Sequence, residues 1–123
     1  MRYLLDTHIL LWWLNGDKNL KDSIQRIIKH PDNQIFISVA TLWEISIKHI
    51  LGKLTLKTNL SEIISVSGFN LIPITSTHIL ELEKLPLLHH DPFDRILIAQ
   101  SISEKLVFIT DDIKIKKYHL KVF

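Results

Sequence analysis

Short β-prone apolar runs alternate with stretches of helical spacing along the whole of this 123-residue chain. That alternation restricts the fold to a mostly parallel sheet of four or five strands covered by helices on both faces, because parallel neighbours need a long crossover and a helix usually supplies it. Arg2 to Leu5 is the first run; Asp6-Thr7 ends it, and Ile9 to Leu14, stopped by Asn15-Gly16, reads as a buried helix. Leu20 to Ile28 carries a helical stripe, Ile35-Phe36-Ile37 is a buried strand, and Val39 to Leu51 is helical again, with Gly52 as its stop. Leu60 to Val66 and Thr77 to Leu85 are predicted helices on either side of Leu71 to Ile74, an edge-like strand because Pro73 has no N–H for a ladder. Leu87 to Asp91 reads as a loop. Asp91-Pro92 opens the longest helix, through Ser103, followed by a strand over Leu106 to Thr110, a short helix or turn over Lys114 to Tyr118, and a final strand candidate at Leu120 to Phe123.

A chain of this length forms one domain, residues 1–123, and buries roughly two-thirds of the surface its unfolded form exposes. It has no cysteine, which removes disulfides and thiolate metal sites and suits a reducing cytoplasm. Asp6 interrupts the first apolar stretch and no later segment approaches the roughly 20 apolar residues of a membrane span, so the expectation is a soluble, unprocessed, cytoplasmic protein without a membrane partner. Net charge is only +2.

Four acidic stretches lie far apart along the chain, three of them where an apolar run gives way to a helix or in a helix's first turn: Leu4-Leu5-Asp6-Thr7, Trp43-Glu44-Ile45, Asp91-Pro92-Phe93-Asp94-Arg95 and Ile109-Thr110-Asp111-Asp112. Three of them have a plain structural reading. Asp6-Thr7 can cap the helix that follows it, and Asp91 before Pro92, with Asp94 three residues on, forms an N-terminal capping arrangement whose charges suit the helix dipole. Glu44 and Lys48, four apart, fit an ion pair worth about 0.2 to 0.5 kcal/mol. Glu44 nevertheless sits between Trp43 and Ile45 on a helix apolar nearly all round, where a sheltered charge is costly unless something positive meets it.

Taken together, the acids imply more than capping does. Parallel strands place their carboxyl ends along one sheet edge, so Asp6 and Asp112 become neighbours. With Asp94 and Glu44 over the same edge, several like charges would crowd together, which cations make tolerable at neutral pH. Carboxylates gathered without cysteine, and without histidines at zinc spacing, suit a hard oxygen-seeking ion such as Mg²⁺ that handles phosphate esters. Setting these four acids aside leaves nine others against fifteen Lys and Arg, a modestly basic exterior suited to nucleic acid. Lys48 can touch a scissile phosphate or pair with Glu44, the spacing favouring the pair, and Arg95 can bind phosphate or lock a carboxylate. Lys114, Lys116, Lys117 and Lys121 form a basic stretch that can follow a backbone or simply face solvent. His89-His90 does not read as a zinc pair, since adjacent side chains do not aim at one centre; His8 reads as structural, and Trp12, Trp13 and Trp43 as core or interface residues.

The elements Leu5-Asp6-Thr7-His8, Trp43-Glu44-Ile45 with Lys48 and Gly52-Lys53-Leu54, His90-Asp91-Pro92-Phe93-Asp94-Arg95 with Ile98-Ala99-Gln100, and Thr110-Asp111-Asp112 together resemble a PIN-domain ribonuclease, specifically the VapC-like toxins of type II toxin–antitoxin pairs. The resemblance spans essentially the whole chain. It implies a three-layer α/β/α sandwich with a parallel sheet, and an endoribonuclease site using one or two Mg²⁺ or Mn²⁺ ions held by Asp6, Asp94, Asp112 and Glu44, the last directly or through water. It further implies an RNA substrate and a small cognate antitoxin covering the site. The homodimer is expected on a separate ground, the amount of apolar surface on so small a domain. The family's last acid stands two residues after the threonine, which selects Asp112 over Asp111 and makes Thr110 the accompanying polar residue; Asp91 and Thr7 are then supporting residues. Thr41 stands where serine often precedes the Trp-Glu element and keeps the hydroxyl. A housekeeping RNA-processing nuclease and a catalytically silent binding module share the same features. A phosphoacceptor receiver domain would lead with paired acids after its first strand, where this chain offers Asp6 alone.

Overall fold

The computed structural model of the chain describes residues 1–66, 68–115, 118 and 123. Its first strand, β1 (Arg2–Leu5), is buried over three of four residues because it is paired on both sides. β2 (Gln34–Ser38) and β4 (Val107–Ile109) flank it, and β3 (Asn70–Ile72) lies beyond β2, all parallel, in the order β3-β2-β1-β4. The register sets Leu4 opposite both Phe36 and Phe108, and Leu5 opposite Ile109.

Side chains on a strand alternate between faces, and the two halves of the core follow that alternation. Tyr3, Leu5, Ile35, Ile37 and Ile109 share one cluster with residues of α1 (Thr7–Asn15), α2 (Asp22–Lys29) and α4 (Leu60–Val66). Leu4, Phe108 and Ile72 join α6 (Pro92–Ser103) on the other face, with α5 (Ser76–Lys84) packed outside it through Leu82. α3 (Val39–Ile50) stands where the layers meet, giving Leu42 and Ile45 to the first cluster and Ala40 to the second.

Crossover handedness explains the division. The steps β1 to β2 to β3 run one way across the sheet and carry their helices to one face, whereas the return to β4, past β1, carries α5 and α6 to the other. The reversal falls between β1 and β4, at whose carboxyl ends an open α/β sheet forms its ligand crevice.

Local chemistry sets the element ends. Gly16 takes φ +62° and its N–H closes α1 on the Trp12 and Trp13 carbonyls, a backbone state that glycine adopts without strain. β3 stops at Ile72, two residues earlier than the sequence pattern suggests, because Pro73 has no N–H to continue the ladder. α5 starts at Ser76, where Thr75 and His78 form a reciprocal capping box. The Ile115 N–H reaches the Asp112 carbonyl and the Tyr118 N–H that of Ile115, while the rest of the helix or turn expected over Lys114 to Tyr118 lies outside the described residues. The fifth strand expected at Leu120 to Phe123 falls mostly outside the described residues, as do Lys116, Lys117 and Lys121 of the basic stretch. Phe123 itself does meet β4: its N–H donates to Phe108 O (2.9 Å) and its carbonyl accepts from Thr110 N–H (3.3 Å).

Leu97, fully buried between α6 and the sheet, tests this packing. Leu97→Ala is expected to cost about 2 to 5 kcal/mol of unfolding free energy, measured by urea denaturation.

Candidate active site

Asp6 directly follows β1, and its N–H extends the ladder to the Ile109 carbonyl at 2.9 Å. The carboxylate is almost wholly buried. Oδ1 accepts the Thr7 N–H at 2.7 Å and Oδ2 the Thr110 hydroxyl at 2.7 Å. Thr7 in turn donates its hydroxyl to Thr41 on α3 (3.2 Å). The oxygen of Thr110 also accepts the Asp112 N–H at 3.1 Å, so one hydroxyl ties the Asp6 carboxylate to the Asp112 backbone.

Asp94 stands in the first turn of α6. Asp91 performs the capping, accepting the Phe93 and Asp94 N–H groups at 2.9 and 3.1 Å. Asp94 is thereby free to meet His89, whose Nε2 lies 3.0 Å from Asp94 Oδ2 and 3.2 Å from Asp112 Oδ2. Trp43 packs edge-on against Phe93, with ring centroids 5.1 Å apart, and sets α3 against the start of α6. Glu44, the next residue, is buried; Oε2 pairs with Lys48 Nζ at 2.8 Å, while Oε1 meets no hydrogen-bond partner among the described residues.

Asp6, Asp94, Asp111 and Asp112, with His8 and Trp12, line a cleft of about 250 Å³. Its electrostatics record the crowding. Burial pushes the Asp94 carboxyl up to about 7, helped by the negative charges of Asp6, Asp91 and Glu44 and drawn partly back by the His89 imidazole. Burial also raises Asp6, against the hydrogen bonds from Thr110 and Thr7 and the nearby His8, and Glu44 adds to the rise. Burial acts in the same sense on Asp112, but the Lys114 N–H and the His89 contact outweigh it and leave this carboxyl below its usual value. The hydrogen bond to Glu44 raises Lys48 despite its partial burial, with Glu44, Asp91 and Asp94 adding attraction.

The residues singled out in the sequence therefore separate. Asp6, Asp94 and Asp112 share the cleft, and Glu44 is close enough to shift both Asp6 and Asp94. Lys48 pairs with Glu44. Asp111 is exposed at the rim, 3.9 Å from Lys21. Arg95 neither locks a carboxylate nor faces the cleft: its guanidinium donates to the Leu85, Pro86 and His89 carbonyls and to the Tyr118 hydroxyl, tying down the loop before α6. His89 is the residue that sequence reasoning passed over. Only one ring of the His89-His90 pair has to face the acids, and its place two residues before the capping Asp91 was the available signal.

A hard divalent cation fits this donor set: carboxylate oxygens from three elements, a buried Glu44 oxygen without a partner among the described residues, and crowded negative charge that raises Asp94.

The PIN domain family model matches residues 3–120. The chain belongs to the PIN domain family. Among solved structures, this PIN domain resembles a chain of VapBC2 from Rickettsia felis bound to a promoter DNA fragment, with a TM-score of 0.76 and 22% identity over 100% of this chain and 98% of that one. A chain of the DNA-bound VapBC from Salmonella typhimurium gives 0.71 at 16% identity, covering 100% and 97%. A chain of VapBC-1 from nontypeable Haemophilus influenzae gives 0.68 at 20%, again covering 100% and 97%. These likenesses establish the three-layer architecture for this PIN domain. Among proteins of curated function, none matches the sequence.

The raised carboxyls give a pH dependence of definite sign. Between about 4 and about 7, folded Asp94 keeps a proton that the unfolded chain has released, so folding stability falls as pH rises through that window, and Asp6 acts in the same sense. In EDTA, the melting temperature is expected to drop from pH 5 to pH 7.5, and Asp94→Asn to remove much of the drop. Circular dichroism melts at matched ionic strength check both.

Proposed function

We propose that this PIN domain is a divalent-cation-dependent endoribonuclease that acts as the toxin of a type II toxin–antitoxin pair. The observation that carries the reading is the convergence of Asp6, Asp94 and Asp112 on one cleft, with Glu44 beside them. Asp6, Asp94 and Asp112 hold one or two Mg²⁺ or Mn²⁺ ions, and the free Glu44 Oε1 contributes directly or through water. A cation bound there supplies Lewis-acid stabilisation of charge on a phosphodiester and makes water a competent nucleophile at neutral pH.

The remaining residues prepare that site. Thr110 and Thr7 hold Asp6 by both oxygens, so its position is fixed before any ligand arrives. Lys48 engages one Glu44 oxygen and leaves the other available. Asp91 satisfies the first N–H groups of α6 and so releases Asp94 from capping. The Thr110 hydroxyl beside Asp6 is buried and also holds the Asp112 N–H, so it orients the acids rather than attacking, which suits hydrolysis without a covalent intermediate.

The toxin assignment draws on the VapBC complexes, whose chains match this one along 97 to 98% of their length. A toxin–antitoxin complex from Klebsiella pneumoniae has a similar chain, with a TM-score of 0.69 and 22% identity, covering 98% of this chain and 95% of that one. The reading includes a small antitoxin that covers the acidic cleft. It also includes a homodimer, for which exposed Trp43, Ile50 and Leu80 offer apolar surface, and a cytoplasmic location where RNA is at hand. Among the described residues no helix is long and apolar enough to cross a membrane.

Purified protein is expected to cleave total RNA when given Mg²⁺ or Mn²⁺ and to stop in EDTA. Asp94→Asn is expected to lower the rate on the order of 100-fold or more, the scale of a lost transition-state contact, while its melting curve shows a folded protein. Equal cleavage by the variant would overturn the site.

A further inference from the structure

Asp94 comes from the first turn of α6 and Asp112 from the segment after β4, and one side chain joins them. His89, in the loop before α6, places Nε2 3.0 Å from Asp94 Oδ2 and 3.2 Å from Asp112 Oδ2. The other ring nitrogen is already committed. Nδ1 lies 3.3 Å from the backbone nitrogen of Asp91, whose N–H can only donate. Nδ1 is therefore the acceptor, and the hydrogen of the ring sits on Nε2.

That tautomer decides what the imidazole can do. His89, Asp94 and Asp112 offer ligand atoms within 4.8 Å of one another, a spacing that would admit a three-ligand metal site. A ring nitrogen bearing hydrogen, however, has no lone pair to give a cation, and moving the hydrogen to Nδ1 would set it against the Asp91 N–H. The ring enters the cluster as a donor.

We propose that His89 is a positioning residue whose Nε2–H latches Asp94 to Asp112, presetting two carboxylates from separate elements for one hard cation and leaving coordination to oxygen alone. The inference rests on the metal-dependent reading above and adds to it the source of that preset spacing. The latch has its own mount: Arg95 donates to the His89 carbonyl at 3.3 Å and to Pro86 and Leu85 beside it, fastening the loop to α6. The ring itself is mostly buried.

Calorimetry with Mg²⁺ and Mn²⁺ on the whole protein, without RNA, tests the latch. His89→Ala is expected to weaken binding of both ions about 10- to 100-fold, the range for partners that orient metal ligands. His89→Gln, whose amide N–H can reach the same place, is expected to bind close to wild type. Electron paramagnetic resonance of the Mn²⁺-loaded wild type is expected to show no nitrogen coupling. Unchanged affinity in His89→Ala overturns the latch, as does a glutamine variant as weak as the alanine one. A nitrogen coupling present in wild type and lost in His89→Ala makes the ring a ligand and overturns it equally. Wild type that binds neither ion instead brings down the metal-dependent reading, and the latch with it. Melts in EDTA establish that each variant is folded, and the glutamine variant decides the matter if the alanine one is not.

Discussion

The pairing of β1 with β4 is the constraint on which the rest of this molecule depends. It brings together chain segments about a hundred positions apart and leaves both of their carboxyl ends open at the point where the sheet changes direction. Among the described residues no helix plugs that point, because the crossovers on either side carry their helices away to opposite faces. Thr110 then converts adjacency into fixed geometry, giving its hydrogen to Asp6 and accepting the N–H of Asp112. An apolar residue there would keep the strands paired and lose the link between the acids.

Charge crowding at this edge is sustained by the scaffold rather than relieved by it. The hydrophobic layers bury Asp6 and Glu44 all but completely, while the capping work at α6 falls to Asp91 and leaves Asp94 turned toward the others. Each acid is held by donors too few to neutralise the group. The buried oxygen of Glu44, without a partner among the described residues, and the Asp94 carboxyl that retains its proton close to neutrality are two signs of the same imbalance. A fold that spends stability in this way offers a ready place for positive charge, whether an inorganic ion or a basic side chain of a partner.

Much of this was legible in the chain itself, for identifiable reasons. Leu4-Leu5 and Phe108-Ile109 are apolar on consecutive residues, as strands buried on both faces must be, so the parallel sheet could be inferred without coordinates. Glu44 among aromatic and aliphatic neighbours announced a sheltered charge. Arg95 was less tractable: a guanidinium satisfied by carbonyls looks, in sequence, the same as one awaiting phosphate, since its partners belong to a loop whose path no periodicity encodes. His89 was hidden by its neighbour, because a doubled histidine invites a metal-pair reading, whereas the structure turns one ring alone to the acids.

The two margins of the sheet carry a consequence for solubility. β3 is three residues long and is followed at once by Pro73, so it offers little to a foreign strand; the outer side of β4 is met by the main chain of Phe123. Both borders are thus blunted against edge-to-edge polymerisation, the usual hazard of a small sheet protein whose surface also displays bulky hydrocarbon side chains. A sheet bounded in this way keeps its backbone closed to casual pairing while its exposed hydrocarbon side chains stay open to contact.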